Sequence, residues 1–338
     1  MKSPKHVLAA LSLSVVLLAA GCSSNNNNQS ANNGGTPSAS GQPETSTSAS
    51  TEKLQIKTSF YPMYEFTRHV AGDLADVESL IPPDVEPHDW EPTAKDLAEI
   101  TDADVLIYNG AGLEGWVDQV TSSATGGNLT TIEASKGLDI MDGFVEEEEE
   151  EGHDEGQEEE HDHGGLDPHV WLSPALAIKE VGNIEQGLAQ VDPNHADTYK
   201  ANADAYVAQL QQLDQDFKDG LKDVKRKDFI TQHAAFGYLA KEYGLTQVPI
   251  AGLSPEQEPS AAKMAEIVDF AKEHNVKTIF FETLVSSSVA DTISKEIGAK
   301  SAVLNPIEGL TAEDQANGLD YIGIMRQNLE ALKTALNE

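Results

Sequence analysis

A single cysteine, Cys22, stands in a chain of 338 residues. Disulfides within the chain are therefore excluded, as is any site built from several thiolates, and a bound metal would be held by nitrogen and oxygen alone. Positive charge is scarce too: 22 Lys and Arg stand against 57 Asp and Glu, a net charge of −35. A surface of that sign repels nucleic acid and anionic lipid and attracts cations. Long apolar runs are missing apart from one, Val7 to Ala20, which is too short to span a bilayer as a mature helix.

That run has a specific setting. Lys2 and Lys5 precede it and "LLAAGC" closes it at Cys22, which is the layout of an export signal. Cys22 falls where a bacterial lipobox places its cysteine, although Ala19 stands where that motif prefers Leu. Two acyl chains on Cys22 would give a firm membrane anchor. From Ser23 to Thr51 the chain is mostly Asn, Ser, Thr and Gly, with one charge, Glu44, and nothing to bury. Such a tether spans roughly 30 Å as a random coil. The predicted organisation is a lipoprotein signal peptide at 1–21 and a disordered tether at 22–52, then an N-terminal α/β domain at 53–190. A connecting helix at 191–224 and a C-terminal α/β domain at 225–338 complete it.

In both halves short apolar runs alternate with amphipathic segments. "LQIKTSF", "DVESLIPP", "DVLIYNG" and "NLTTIEA" read as strands in the first half, with helices at "YPMYEFTRHVAG", "TAKDLAEITDA" and "SPALAIKEVGNIEQGLAQV". "DFITQ", "TQVPIAG", "KTIFFET" and "SAVLNP" read as strands in the second, with "HAAFGYLAKEYG" a helix that His233 begins. Between them Asp192 is the predicted cap, and Pro193 the first residue, of a helix running to about Leu221. Tyr199, Ala203, Tyr206, Leu210, Leu213, Phe217 and Leu221 make one apolar stripe along it. The fold class that follows is α/β: two domains with mainly parallel sheets joined by one long, rigid helix, with a cleft between them. Ligands of such sheets sit at the carboxyl ends of the strands.

Four residues of metal-binding type fall there. His88 follows one strand, His169 precedes the helix opened by Ser173, His233 follows "DFITQ", and Glu282 follows "KTIFF". Three imidazoles and one carboxylate suit tetrahedral zinc. Singly, each has an ordinary alternative as a helix cap or loop residue; their shared placement makes them a set. Asp89, Glu91 and Asp167 are candidates to accept the second N–H of a ligating ring. Trp90, Trp171 and Phe236 flank three of the four and would either wall the site from water or simply pack the core.

The ordered motifs "PHDWEPT", "DPHVWLSP", "TQHAAFGYLAKEYGL", "SPEQEPS" and "IFFETLVSS" resemble those of the TroA-like metal-receptor lipoproteins of ABC importers, in particular the zinc-uptake branch. The resemblance extends from about Leu54 to the C-terminus. It implies two α/β domains on one rigid helix and a single Zn²⁺ in the cleft, held by His88, His169, His233 and Glu282 and passed to a permease driven by a cytoplasmic ATPase. Manganese and iron receptors of the family typically carry a carboxylate at the position matching His233, so imidazole here favours zinc. The expected protein is a monomeric, extracytoplasmic receptor, lipid-anchored at the outer face of the cell membrane, with no nucleic-acid partner. A manganese or iron receptor, a zinc enzyme and a surface adhesin are the alternatives. Against an enzyme, no H-E-x-x-H or other hydrolase signature appears, and Glu282 would close the coordination sphere.

The acidic stretch at 146–165, "EEEEEEGHDEGQEEEHDHGG", carries His153, His161 and His163. Zinc-uptake members of the family commonly have a His- and acid-rich loop at this point. This copy is richer in glutamate than in histidine, so it reads either as a solvated loop or as an accessory zinc trap centred on His161-Asp162-His163.

Overall fold

The strands that read as continuously apolar are those a parallel sheet needs in its middle, where helices cover both faces. The computed structural model describes residues 53–123, 129–143 and 165–338. Cys22, the tether, and the loop histidines His153, His161 and His163 lie outside the described residues.

The first half runs β1 (Leu54–Thr58), α1 (Tyr61–Ala71), β2 (Ala75–Ser79), α2 (Ala94–Asp102), β3 (Val105–Tyr108), α3 (Val117–Ser123), β4 (Thr130–Glu133) and α4 (Pro174–Val191). Then comes α5 (Ala196–Leu221). The second half runs β5 (Asp228–Thr231), α6 (Gly237–Tyr243), β6 (Thr246–Pro249), α7 (Ala261–Glu273), β7 (Thr278–Phe281), α8 (Ser288–Ile297), β8 (Lys300–Val303), α9 (Ala312–Ala316) and α10 (Tyr321–Leu336). Both sheets are wholly parallel and share one topology, β2-β1-β3-β4 and β6-β5-β7-β8. The buried runs "VLIY" and "TIFF" occupy central β3 and β7, while exposed "ADVES" and "KSAV" form edges β2 and β8.

Local signals set most element ends. Thr93 and Asp96 form the capping box that starts α2, and the Ser173 hydroxyl accepts from Leu176 N at the head of α4. Two expectations are corrected. Asp192 does not cap backbone: its carboxylate accepts from His195 Nδ1 and Tyr199 Oη, and the chain enters α5 through a 3₁₀ turn at Pro193–His195. His233 does not begin a helix either. Its N–H donates to Glu282, Ala234 N–H donates to Gly252 O, and α6 starts only at Gly237.

The stripe on α5 is buried along its whole length, from Tyr199 to Leu221. At 26 residues the helix is about 39 Å long. It packs against α1 and α4 of the first half and α6 and α10 of the second. The halves do not meet only through it. One hydrophobic cluster runs from Ile56 through Trp171 and Phe217 to Leu336, and Phe66 of α1 sets its edge on Tyr321 of α10 at 5.0 Å between centroids. Leu210, fully buried on the stripe, is therefore expected to lower stability by about 2–5 kcal/mol when changed to Ala. Because the core is shared, calorimetry of the parent should show one unfolding transition for both halves. Two separate transitions would contradict it.

Candidate metal centre

Every residue of interest stands beyond the carboxyl end of a strand. After β2, the turn through Asp84 leads to His88, whose N–H is held by both carboxylate oxygens of Glu86 at 3.0 Å. After β4, Asp167 N–H donates to Met141 O beside a bridge between Asp142 and Leu166, and Asn109 at the end of β3 donates to Pro168 O. These bonds fix the segment that carries His169. His233 follows β5, Glu282 follows β7, and Glu308 follows β8.

His88, His169, His233 and Glu308 converge. His169 Nε2 lies 3.1 Å from His88 Nε2 and 3.3 Å from His233 Nε2. Glu308 Oε1 lies 3.3, 3.5 and 3.4 Å from the Nε2 atoms of His88, His169 and His233. A tetrahedral zinc with bonds of 2.0–2.1 Å sets its ligand atoms about 3.3 Å apart. These five distances, 3.1–3.5 Å, match the edges of such a tetrahedron. All four side chains are at most 1 % exposed.

Glu282, expected as the fourth ligand, is elsewhere. Its Oε1 accepts from His233 Nδ1 at 2.6 Å and from His233 N at 3.1 Å, on the side of the ring away from the cluster. Asp167 treats His169 in the same way, accepting from Nδ1 at 2.8 Å and from the backbone N–H at 3.0 Å. A carboxylate only accepts, so each Nδ1 carries a hydrogen and Nε2 is the atom each ring offers to the cluster. Of the three carboxylates considered as ring partners, Asp167 has that role, while Asp89 and Glu91 are exposed. Trp171 is buried against the His169 ring, Phe236 is buried in the core, and Trp90 packs instead on Trp116. Gly237 is small for a reason: a Cβ there would meet Asp167 Oδ2 at 2.9 Å.

Sequence reading missed Glu308 because it stops the last strand at "NP". The signal was present: Glu308 is a lone carboxylate in the apolar run "NPIEGL", beyond a strand end like the other four. A cavity of about 490 Å³, lined among others by Tyr61, Tyr64, Pro82, Pro83 and Leu310, reaches Glu308 from outside.

The electrostatics suit a cation. Burial pushes the His88 imidazole down to about 4, so the ring is neutral at neutral pH. Burial also opposes protonation of His169, but the hydrogen bonds to Asp167 and Glu308 outweigh it and raise its pKa. His233 is raised well above the ordinary imidazole value, the attraction of Glu282 and Glu308 overcoming burial. Burial likewise works against the charged Glu308, yet His233 and the hydrogen bonds of the three rings hold it well below the carboxylate range.

Two parallel α/β halves on one helix, with a buried nitrogen-rich tetrahedron between their strand ends, define a metal-receptor class of binding protein. The chain belongs to the zinc-uptake complex component A periplasmic family, whose profile matches residues 56–335. It is 53 % identical over 301 residues to the high-affinity zinc uptake system protein ZnuA of Bacillus subtilis strain 168, covering 88 % of this chain and 93 % of that one. It is 47 % identical over 286 residues to the zinc-binding lipoprotein AdcA of Streptococcus pneumoniae R6, covering 85 % of this chain but 56 % of AdcA. The Zn(II)-bound ZnuA-like domain of S. pneumoniae AdcA superimposes with a TM-score of 0.72 at 44 % identity, over 85 % of this chain and all of that domain.

The two glutamates separate cleanly by substitution. Glu282→Gln should weaken zinc binding about 10- to 100-fold, as loss of a ring-orienting partner does. Glu308→Ala should cost more than that, measured by competition with a chromophoric chelator. A larger loss at Glu282 than at Glu308 would reverse the two roles.

Proposed function

We propose that this chain is the extracytoplasmic receptor of a zinc importer, holding one Zn²⁺ with His88, His169, His233 and Glu308 and delivering it to an ABC permease and its ATPase. The observation that carries this reading is the convergence of three imidazole Nε2 atoms and one carboxylate oxygen at tetrahedral spacing in a buried site. The donor set is three nitrogens and one oxygen, which suits Zn²⁺ better than oxygen-seeking Mn²⁺. With Glu308 in the fourth position no vertex is left for an activated water, which favours a receptor over a hydrolytic enzyme.

Capture proceeds by exchange of charge. His169 and His233 hold a proton to higher pH than a free imidazole does, and zinc must displace it from Nε2. Asp167 and Glu282 keep the Nδ1 hydrogens in place, so each ring turns the same nitrogen to the metal. Release then needs only a small movement of one strand-end loop, because α5 and the shared core resist a wide hinge opening. Cys22 anchors the chain to the outer face of the cell membrane as a lipoprotein, and the monomer is the working unit. The chain is read as α/β domains at 53–190 and 225–338 joined by a helix at 191–224. His153, His161 and His163 of the acidic loop gather zinc weakly.

Metal competition tests the reading. Protein stripped of metal and offered Zn²⁺, Mn²⁺ and Cu²⁺ at cellular ratios should retain one tight zinc by mass spectrometry, and deletion of 146–165 should remove only weaker equivalents. Affinity should fall as pH drops through the raised pKa values of His233 and His169, beginning above the ordinary imidazole range. Preference for manganese, or an affinity flat with pH between 8 and about 5, would defeat the proposal.

A further inference from the structure

We infer that Asn305 is the positioning residue that carries Glu308 into the metal site, by holding Ile307 in a left-handed backbone conformation. This rests on the reading of Glu308 as a ligand. Ile307 has φ +58°, a region that β-branched residues avoid because Cβ crowds the backbone. It is fully buried and immediately precedes Glu308. Strain of this kind persists only where the surroundings over-determine it, and here they do.

Asn305 Oδ1 accepts from Ile307 N at 2.8 Å, closing a tight turn over Pro306. Asn305 is itself gripped from α10. Its N–H donates to Asn328 Oδ1 at 2.8 Å, and its carbonyl accepts from Asn328 Nδ2 at 2.7 Å. The Asn328 amide thus pairs with the backbone of Asn305 just past the end of β8, in the manner of a neighbouring strand. On the other flank Trp171 Nε1 donates to Pro306 O at 2.8 Å. The same indole packs against the His169 ring at 5.2 Å, and its backbone carbonyl accepts from Tyr321 Oη. Asn305, Asn328 and Trp171 are all buried, so these bonds face little competition from water.

The consequence for the metal follows from the geometry. Glu308 Oε1 approaches each of the three Nε2 atoms at 3.3–3.5 Å. Returning Ile307 to an ordinary φ near −65° would turn the chain about its N–Cα bond by about 120° and carry the carboxylate away from the rings. The turn therefore stores backbone strain to set the one oxygen ligand, while the imidazoles are set by Asp167 and Glu282.

The test is a double-mutant cycle on the full chain, read with Zn²⁺ affinity and with the visible spectrum of bound Co²⁺. Asn305→Ala should weaken zinc binding about 10- to 100-fold and shift the Co²⁺ bands away from a tetrahedral site. Asn305→Asp, which keeps the acceptor for Ile307 N, should restore both. In a Glu308→Ala background Asn305→Ala should cost nothing further, because the group it positions is gone. Asn328→Leu, which cuts the grip on Asn305 without touching the turn, should reproduce the Asn305→Ala spectrum and serves if Asn305→Ala does not fold. Parent-like binding and spectrum in the folded variant, or an equal loss in the Glu308→Ala background, would overturn the inference. Parent-like zinc binding by Glu308→Ala itself would instead remove Glu308 from the ligand set, a different failure that the same cycle reveals.

Discussion

Nitrogen lone pairs turned on one another in a dry site form the constraint on which this structure depends. His169 Nε2 stands 3.1 Å from His88 Nε2 and 3.3 Å from His233 Nε2, and rings packed this closely are held best when positive charge stands among them. Burial makes an unpaired polar atom costly, and a single carboxylate, Glu308, balances part of any cation placed there. Protons supply that charge in part, as the raised pKa values of His169 and His233 reflect. A divalent cation supplies it more completely, and the tetrahedral spacing is the one zinc requires.

The rest of the chain serves to keep those atoms in place. The parallel topology, repeated in the two halves, brings several strand ends to one edge where loops of different length can meet. Carboxylates behind two of the rings choose the tautomer and fix the ring plane. The core that runs through both halves keeps the two sets of strand ends in one register, with α5 as its spine. A receptor built this way holds its metal by preorganisation, so little free energy is lost in ordering the ligands at the moment of binding. The same rigidity confines release to local movement around the site.

Much of the fold was legible because it rests on local pattern. The α5 stripe, the capping box at Thr93 and the buried runs "VLIY" and "TIFF" announce their elements by periodicity and end chemistry. The short helices α3 and α9 carried too few periodic positions to be seen. His233 at a helix start and Asp192 as a cap were misread for a different reason: other side chains, Glu282 for His233 and His195 and Tyr199 for Asp192, engage the atoms concerned. The three histidines and Glu282 were drawn together by their placement; the three rings face one another, while Glu282 lies behind the His233 ring. Which carboxylate faces the metal was not legible. Glu282 and Glu308 follow adjacent strands, β7 and β8, and only tertiary packing puts one behind the His233 ring and the other before it.

Diffraction data collected across the zinc absorption edge from crystals of the zinc-loaded protein test the central claim most directly. One strong anomalous peak is expected about 2.0–2.2 Å from the Nε2 atoms of His88, His169 and His233 and from a Glu308 oxygen. Glu282 should remain hydrogen-bonded to His233 Nδ1. A peak bonded to Glu282, or one lying away from the three imidazoles, would contradict it.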